Sequence, residues 1–259
     1  MHLGLEGRKA IICASSRGLG LGTAKALAEA GCDLVINGRD EQRLNQVAQE
    51  LAAKHNISVT PVAADISSPE GQQAILSACP NPDILVNNNG GPPRRDFKEL
   101  DRQSIQEGVV QNMITPIELI KAVIDGMAER RFGRIVNITS SSVKMPIEGL
   151  DLSSGARAGL TAFLAGVCRQ YAQHNVTINN VLPGRFDTDR LKGGFEREAQ
   201  QSGISIEEAK RLSSQQIPAK RLGNPEEFGK ACAFLCSAHA GYITGQNLLV
   251  DGGLFPSAF

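Results

Sequence analysis

Seven short runs of β-branched and apolar residues, separated by longer amphipathic stretches, set the tightest limit on how this chain can fold. The runs are Lys9–Ala14, Asp33–Asn37, Ser58–Ala64, Ile84–Asn87, Arg134–Thr139, Thr177–Leu182 and Gln246–Val250, and their length and composition read as strands. The windows Gly20–Ala30, Glu41–His55, Pro69–Cys79, about Asp101 to Arg131, Gly155–His174 and Pro225–Ser237 carry helical spacing. Strands alternating with helices of this length imply parallel strands joined by crossover helices, with both sheet faces covered. No Pro/Ser-rich linker, fixed-period repeat or low-complexity tract divides the chain, so residues 1–259 read as one doubly wound α/β domain.

Composition narrows the function classes. Lys plus Arg and Asp plus Glu both number 27, so there is no global attraction to nucleic acid or acidic membranes, and binding must be local. Residues Met1 to Ser16 lack a secretory pattern, and no run of about 18 apolar residues could span a bilayer. A soluble cytoplasmic protein follows. Cys13, Cys32, Cys79, Cys168, Cys232 and Cys236 are too sparse for a disulfide scaffold and read as buried small hydrophobes, with no metal site. The segment 185–220 is longer than the roughly 12–15 residues of an ordinary connection, and its helical spacing near Glu207–Leu212 marks it as a lid over a site.

The first strand runs through Ala14, Ser15, Ser16, Arg17, Gly18, Leu19 and Gly20 into an Ala-rich helix. Exposed N–H groups at a helix start favour an anion, and glycines let a pyrophosphate approach the backbone. In an open parallel sheet the ligand lies beyond the carboxyl ends of the strands. Asp65-Ile66, Asn87-Asn88-Asn89-Gly90, Ser140 and Pro183-Gly184 all fall at such ends. Asp65 is too early to cap the helix from Pro69, a task that Ser67 or Ser68 fits, and is left for the adenine.

From Gly7 to Gly253 the sequence resembles the short-chain dehydrogenase/reductase superfamily. The glycine segment is similar to that family's Thr-Gly-x-x-x-Gly-x-Gly, with Cys13 and Ala14 in the first two places; Asn87–Gly90 is similar to its Asn-Asn-Ala-Gly. Asn112 falls at its helix Asn, Pro183, Gly184 and Thr188 at its nicotinamide-facing segment, and Gly223–Glu227, Tyr242–Gln246 and Asp251–Gly253 match its tail. The resemblance implies a Rossmann-like fold and association into tetramers or dimers through the long helices and the last strand. It is nearest to acyl-carrier ketoreductases in the tail and central strand.

An acid at the end of the second strand would accept from a ribose 2′-hydroxyl and repel a 2′-phosphate, whereas arginine does the reverse. Here the strand ends Asn37-Gly38-Arg39, with Arg17 in the glycine loop. Both arginine positions go with NADP(H) in the resembling family, so NADP(H) is expected over NAD(H). The competing reading of Arg39 is a surface salt bridge.

The catalytic positions depart from the family. Its Ser falls at Ser140, but where it places Tyr and, four residues later, Lys, this chain has Ser153 and Arg157. Those positions share one helix face. Arg157 can hold a ribose diol but will not shuttle protons, and a serine hydroxyl is a far weaker acid than a phenol. Neither Tyr171 nor Tyr242 is placed to substitute; Lys144, Glu148 and Asp151 are alternative donors that otherwise read as solvated charges. Arg94, Arg95, Arg185, Arg190 and Lys192 would favour an anionic or acyl-linked substrate if they converge. The reading is an NADP(H)-dependent oxidoreductase of a small carbonyl/alcohol pair, with Ser140, Ser153, Arg157 and Asn112 at the reacting end. The alternatives are an NADP(H)-binding protein without turnover and, third, a lyase of the halohydrin-dehalogenase type, which Gly18, Gly20, Arg17 and Arg39 disfavour.

Overall fold

The computed structural model describes residues 2–258, so Met1 and Phe259 of the single-domain reading lie outside the described residues. All seven strands form: β1 (Lys9–Ile12), β2 (Asp33–Gly38), β3 (Val59–Ala63), β4 (Ile84–Asn87), β5 (Gly133–Ile138), β6 (Val176–Pro183) and β7 (Asn247–Val250). They pair in parallel in the order β3-β2-β1-β4-β5-β6-β7. Pro61 sits in β3, an edge strand, where its missing N–H breaks least of the ladder.

Side chains alternate between two cores, as the period of a strand requires. Ala10, Ile12, Leu34, Ile36, Ile84 and Val86 pack on one face against α1 (Gly18–Glu29), α2 (Glu41–His55) and α9 (Pro225–Cys236). Ile11, Cys13, Val35, Leu85 and Ile135 pack on the other against α3 (Pro69–Ala78), α5 (Thr115–Glu129) and α6 (Asp151–Tyr171). Ile11 and Ile12 are wholly buried on opposite faces, and truncating either to Ala costs about 2–5 kcal/mol. All six cysteines are buried in these cores.

Caps explain several boundaries. Asp40 accepts from Arg43 N–H at the start of α2, and Ser68, not Asp65, accepts from Gly71 N–H before α3. Asn224 and Glu227 form a reciprocal capping box at α9, with Pro225 in the first helical position. The window 101–131 is interrupted: α4 (Arg102–Val109) passes through a π-helical turn, Val110–Ile114, before α5. Segment 185–220 is a helical hairpin, α7 (Asp189–Ser202) and α8 (Ile206–Gln215), around a small apolar cluster of Phe195, Ala199 and Ala209. No helix among the described residues is long and apolar enough to cross a membrane.

Candidate active site

Strand order reverses between β1 and β4, and the loops leaving them part to open the crevice. The β1 loop is fastened from below. Asn37, at the end of β2, accepts from Ala14 N–H and donates to the carbonyls of Val62 and Ala64, tying three strand ends together. From the other side, Asn88 Nδ2 donates to Ala14 O at 3.0 Å. Ala14 is thereby held at φ 45°, a left-handed conformation that glycine adopts without strain.

The glycine loop fits a dinucleotide. Gly18 has φ 58°, and a Cβ on Gly20 would lie 2.3 Å from Ala14 O, so neither position accepts an ordinary side chain. The first turn of α1 has no side-chain cap and no acidic residue, unlike α2, α3, α7, α8 and α9, whose first turns are capped by side chains. Its N–H groups and positive end are left for an anion. A groove of about 210 Å³ lies over Arg17 and Gly18, walled by Arg43, Thr188 and Asp189.

At the adenosine end Asp40 is engaged as the α2 cap, leaving no carboxylate for a ribose hydroxyl at the end of β2. Arg17 and Arg39 are exposed, and neither makes an ion pair among the described residues, so Arg39 is not a surface salt-bridge residue. Arg43, which the sequence reading missed, donates from Nε to Ser16 O at 3.2 Å and adds a third guanidinium beside the loop. Its signal was its place one helical turn beyond Arg39.

Other expected cofactor residues take different parts. Ser15 is wholly buried, its hydroxyl donating to Ile12 O and accepting from Asn37 N–H, so it fastens the loop from within. Leu19 packs on one core and Ile66 lies in the other. Asp65 is exposed and accepts from Ser67 N–H. Asn89 donates to Ser67 Oγ and Gln111 O, while Gly90 is exposed with open space beside its Cα. Gly184 bonds to the end of β7, and Thr188 caps α7 with its methyl against Gly18.

The reacting end is organised by α6, which starts at Asp151 rather than at Gly155 and so brings Ser153 and Arg157 into its first two turns. Arg157 is 7% exposed. Its Nε donates to Ser153 Oγ at 3.0 Å and its Nη1 to Ile138 O at 2.7 Å, anchoring it to the end of β5 two residues before Ser140. Burial, with repulsion from Arg190, pushes its pKa down to about 10, so the guanidinium remains charged at neutral pH. Ser153 therefore accepts from a cation while its own proton stays available to donate. Ser140 Oγ is likewise oriented by accepting from Ser142 N–H at 3.1 Å.

Behind Arg157 is a cavity of about 20 Å³, room for one water, lined in part by Asn87, Asn112, Thr115 and Asn137. The oxygens Asn87 Oδ1, Asn112 Oδ1 and Thr115 Oγ1 are buried there without a partner. Asn112 lies in the π-helical turn and donates to Gly108 O; such turns recur at functional sites. Asn87 begins a ladder of side-chain amides, donating to Asn137, which donates to Asn180, which donates to Asn247. Neither this ladder nor Thr115 was anticipated.

The remaining tyrosines and donors lie elsewhere. Tyr171 donates to Asp125 at the far end of α6, and Tyr242 is fully exposed. Lys144, Glu148 and Asp151 are exposed, and none has a hydrogen bond to Ser140, Ser153 or Arg157. Arg95 is drawn away from the proposed basic rim: its charge acts on Asp101, and its N–H bonds Gly149 O.

The parallel sheet, the glycine loop and the uncapped α1 define a dinucleotide-binding protein. Residues 13–255 match the family described as enoyl-(acyl carrier protein) reductase. The chain is 33% identical over 255 residues to the NADPH-dependent reductase BacG of Bacillus subtilis, covering 96% of this chain and 98% of that one. It is 32% identical over 259 residues to the 3-oxoacyl-(acyl-carrier-protein) reductase FabG of Aquifex aeolicus, covering 98% and 100%. The structure of L-sorbose reductase from Gluconobacter frateurii complexed with NADPH and L-sorbose matches with a TM-score of 0.94 and 27% identity, covering 99% and 100%. The chain belongs to the short-chain dehydrogenase/reductase family of oxidoreductases.

Proposed function

We propose that this protein is an NADP(H)-dependent oxidoreductase of a carbonyl/alcohol pair in which electrostatic stabilisation replaces the usual phenol acid. The α1 amino terminus with Gly18 and Gly20 would hold the pyrophosphate, Arg17, Arg39 and Arg43 the 2′-phosphate, and Thr188, Pro183 and Gly184 the nicotinamide end. When bound, the cofactor supplies the hydride chemistry. Asn88 and Asn89 would keep the crevice walls in place through their bonds to Ala14 O, Gln111 O and Ser67 Oγ.

The observation that carries the reading is the 3.0 Å contact from Arg157 Nε to Ser153 Oγ. A hydroxyl whose lone pair is held by a guanidinium is polarised to donate, and with Ser140 it gives two O–H donors for one substrate oxygen. Negative charge developing on that oxygen is met by both donors and by the adjacent cation, in a crevice where such interactions are strong. Neither serine nor Arg157 gives up a proton at neutral pH, so the product oxygen takes its proton from water. Asn112 acts behind Arg157, where its unpaired Oδ1 and those of Asn87 and Thr115 surround a space of water size.

The test is a titration with NADPH and NADH followed by loss of nicotinamide absorbance against a broad carbonyl panel. NADPH binding with consumption supports the reading. Binding without consumption moves the protein to the sensor or assembly alternative that the missing phenol favours, and absence of binding removes both.

A further inference from the structure

Among the described residues two arginines are buried, and they are built differently. Arg134, 1% exposed, donates from all three nitrogens: Nε to Ser237 O, Nη1 to Gly133 O and Asn175 O, and Nη2 to Asn175 Oδ1. It is a structural cation with every nitrogen engaged. Arg157 donates from Nε and Nη1 alone; among the described residues Nη2 has no hydrogen-bond partner, and no carboxylate pairs with the guanidinium. A buried charge without a counterion is costly, and buried charges are as a rule paired or bound to a group of opposite charge.

Its neighbours add to the charge. Arg190, near the start of α7, is exposed as a residue, yet its guanidinium folds over Gly91 and donates to Pro92 O at 3.2 Å. A Cβ on Gly91 would lie 2.6 Å from Arg190 Nη1, so the guanidinium lies directly against the glycine. Arg94 and Arg197 repel Arg190, and Arg94 also repels Arg185. The acids of this region are engaged or outnumbered. Asp187 pairs with Lys210 and Asp189 faces Arg43. Asp96 caps a turn, Glu198 offsets Arg185 alone, and Glu148 makes no ion pair among the described residues. A chain of zero net charge has thus gathered uncompensated guanidiniums at one opening.

We propose that the crevice binds an oxyanion group, carboxylate or phosphate, carried on the same molecule as the reacting carbonyl, with Arg190 as its principal grip and Arg94 at its rim. Arg190 presents a planar fork suited to two parallel hydrogen bonds to such a group. The proposal rests on the oxidoreductase reading above and names the substrate class of that site.

The experiment compares matched pairs with NADPH: 2-oxobutanoate and its methyl ester, 3-oxobutanoate and its methyl ester, dihydroxyacetone phosphate and dihydroxyacetone. The expected result is a preference of about 30-fold or more in kcat/KM for the anion of at least one pair, the size expected of a desolvated charge contact. The preferred pair tells carboxylate from phosphate. In Arg190→Met that preference falls to within about threefold through a higher KM for the anion, which loses far more than its neutral partner; Arg190→Lys keeps part of it. Equal use of both members of every pair, or equal losses for both in Arg190→Met, overturns the proposal. If no pair turns over, calorimetry on the NADP⁺-loaded protein with 2-oxobutanoate, 3-oxobutanoate and dihydroxyacetone phosphate decides. Binding that Arg190→Met abolishes upholds it, and no binding of any of the three overturns it. Failure of NADP⁺ itself to bind overturns the cofactor reading instead.

Discussion

Replacing Arg157 by Met distinguishes a site residue from a structural one. Burial and Arg190 lower the Arg157 pKa to about 10. At 1.36 kcal/mol for each tenfold change in proton affinity, the folded state opposes this charge by about 3 kcal/mol at neutral pH. Methionine removes that opposition and gives up two charge-assisted hydrogen bonds, to Ser153 Oγ and Ile138 O, together about 3 kcal/mol. The two terms nearly cancel, so stability should change by no more than about 1 kcal/mol, or about 2–4 °C in Tm for a chain of this length. Activity falls all the same, with kcat dropping roughly 10²–10³-fold as the oxyanion loses its cation. The penalty is complete below pH 10, where Arg157 is charged in both states. It fades above pH 10, where the folded state releases the proton first, so the variant loses stability relative to the parent there. Calorimetric unfolding and NADPH consumption read the two effects, with Arg134→Met as the control expected to lose about 3 kcal/mol or more. A comparable loss in Arg157→Met, with turnover retained by the folded fraction, would refute the reasoning and make Arg157 a second Arg134.

Arg39→Ala should weaken NADPH about 10–100-fold, as expected for loss of a charged hydrogen bond, and leave NADH within about threefold; equal effects in calorimetry would remove the phosphate assignment. Ala14→Gly should stabilise the fold by about 0.5 kcal/mol, because relief at φ 45° slightly exceeds the added entropy of the unfolded chain, and a loss of about 1 kcal/mol would show that the methyl group packs. The kcat/KM of carbonyl reduction should stay flat from about pH 6 to pH 9 and fall above about 10 as Arg157 loses its charge; a limb near pH 7 would put a titrating acid in the site. Ser153→Tyr with Arg157→Lys should raise reduction of simple ketones, and no gain in steady-state turnover would mean that the crevice has been rebuilt for other chemistry.

Strand positions were legible because strands covered on both faces leave short, continuous apolar and β-branched runs, set apart by longer amphipathic stretches. Helix starts were less so. Gly155 looks like a boundary, yet it stands on an open helix face where a missing side chain costs only propensity, and α6 begins four residues earlier. The π-helical turn was not legible, since one inserted residue slips the apolar pattern by a single position, which a short window does not separate from ordinary irregularity; Asn112 was found through family resemblance alone. Local signals placed Gly18, Gly20 and the basic ribose end, where the chemistry depends on neighbours in sequence. Asn37, Arg43, Thr115 and the amide ladder depend on contacts between strands and helices far apart in the chain, which no short window contains. Arg190 was visible as a charge near the lid, but its contact with Pro92 O joins positions about a hundred residues apart.

The two unusual features of the site are physically linked. A phenol beside an ammonium can pass a proton to the product oxygen, so the charge on that oxygen never has to be large. A serine beside a guanidinium cannot, and the oxygen must carry its charge until water protonates it. That arrangement suits electron-poor carbonyls, whose oxyanions are the least basic, and an oxo acid qualifies on electrophilicity but brings a second negative charge. Alone, that charge would repel the developing oxyanion. Arg190 and Arg94 would cancel it while Arg157 and the two hydroxyls meet the oxyanion itself, so the cations that look redundant around a neutral ketone become matched to a doubly anionic product state. Loss of the acid and accumulation of arginines are then two parts of one substitution of electrostatics for proton transfer, and a variant that restores the phenol should depend less on Arg190 for its rate.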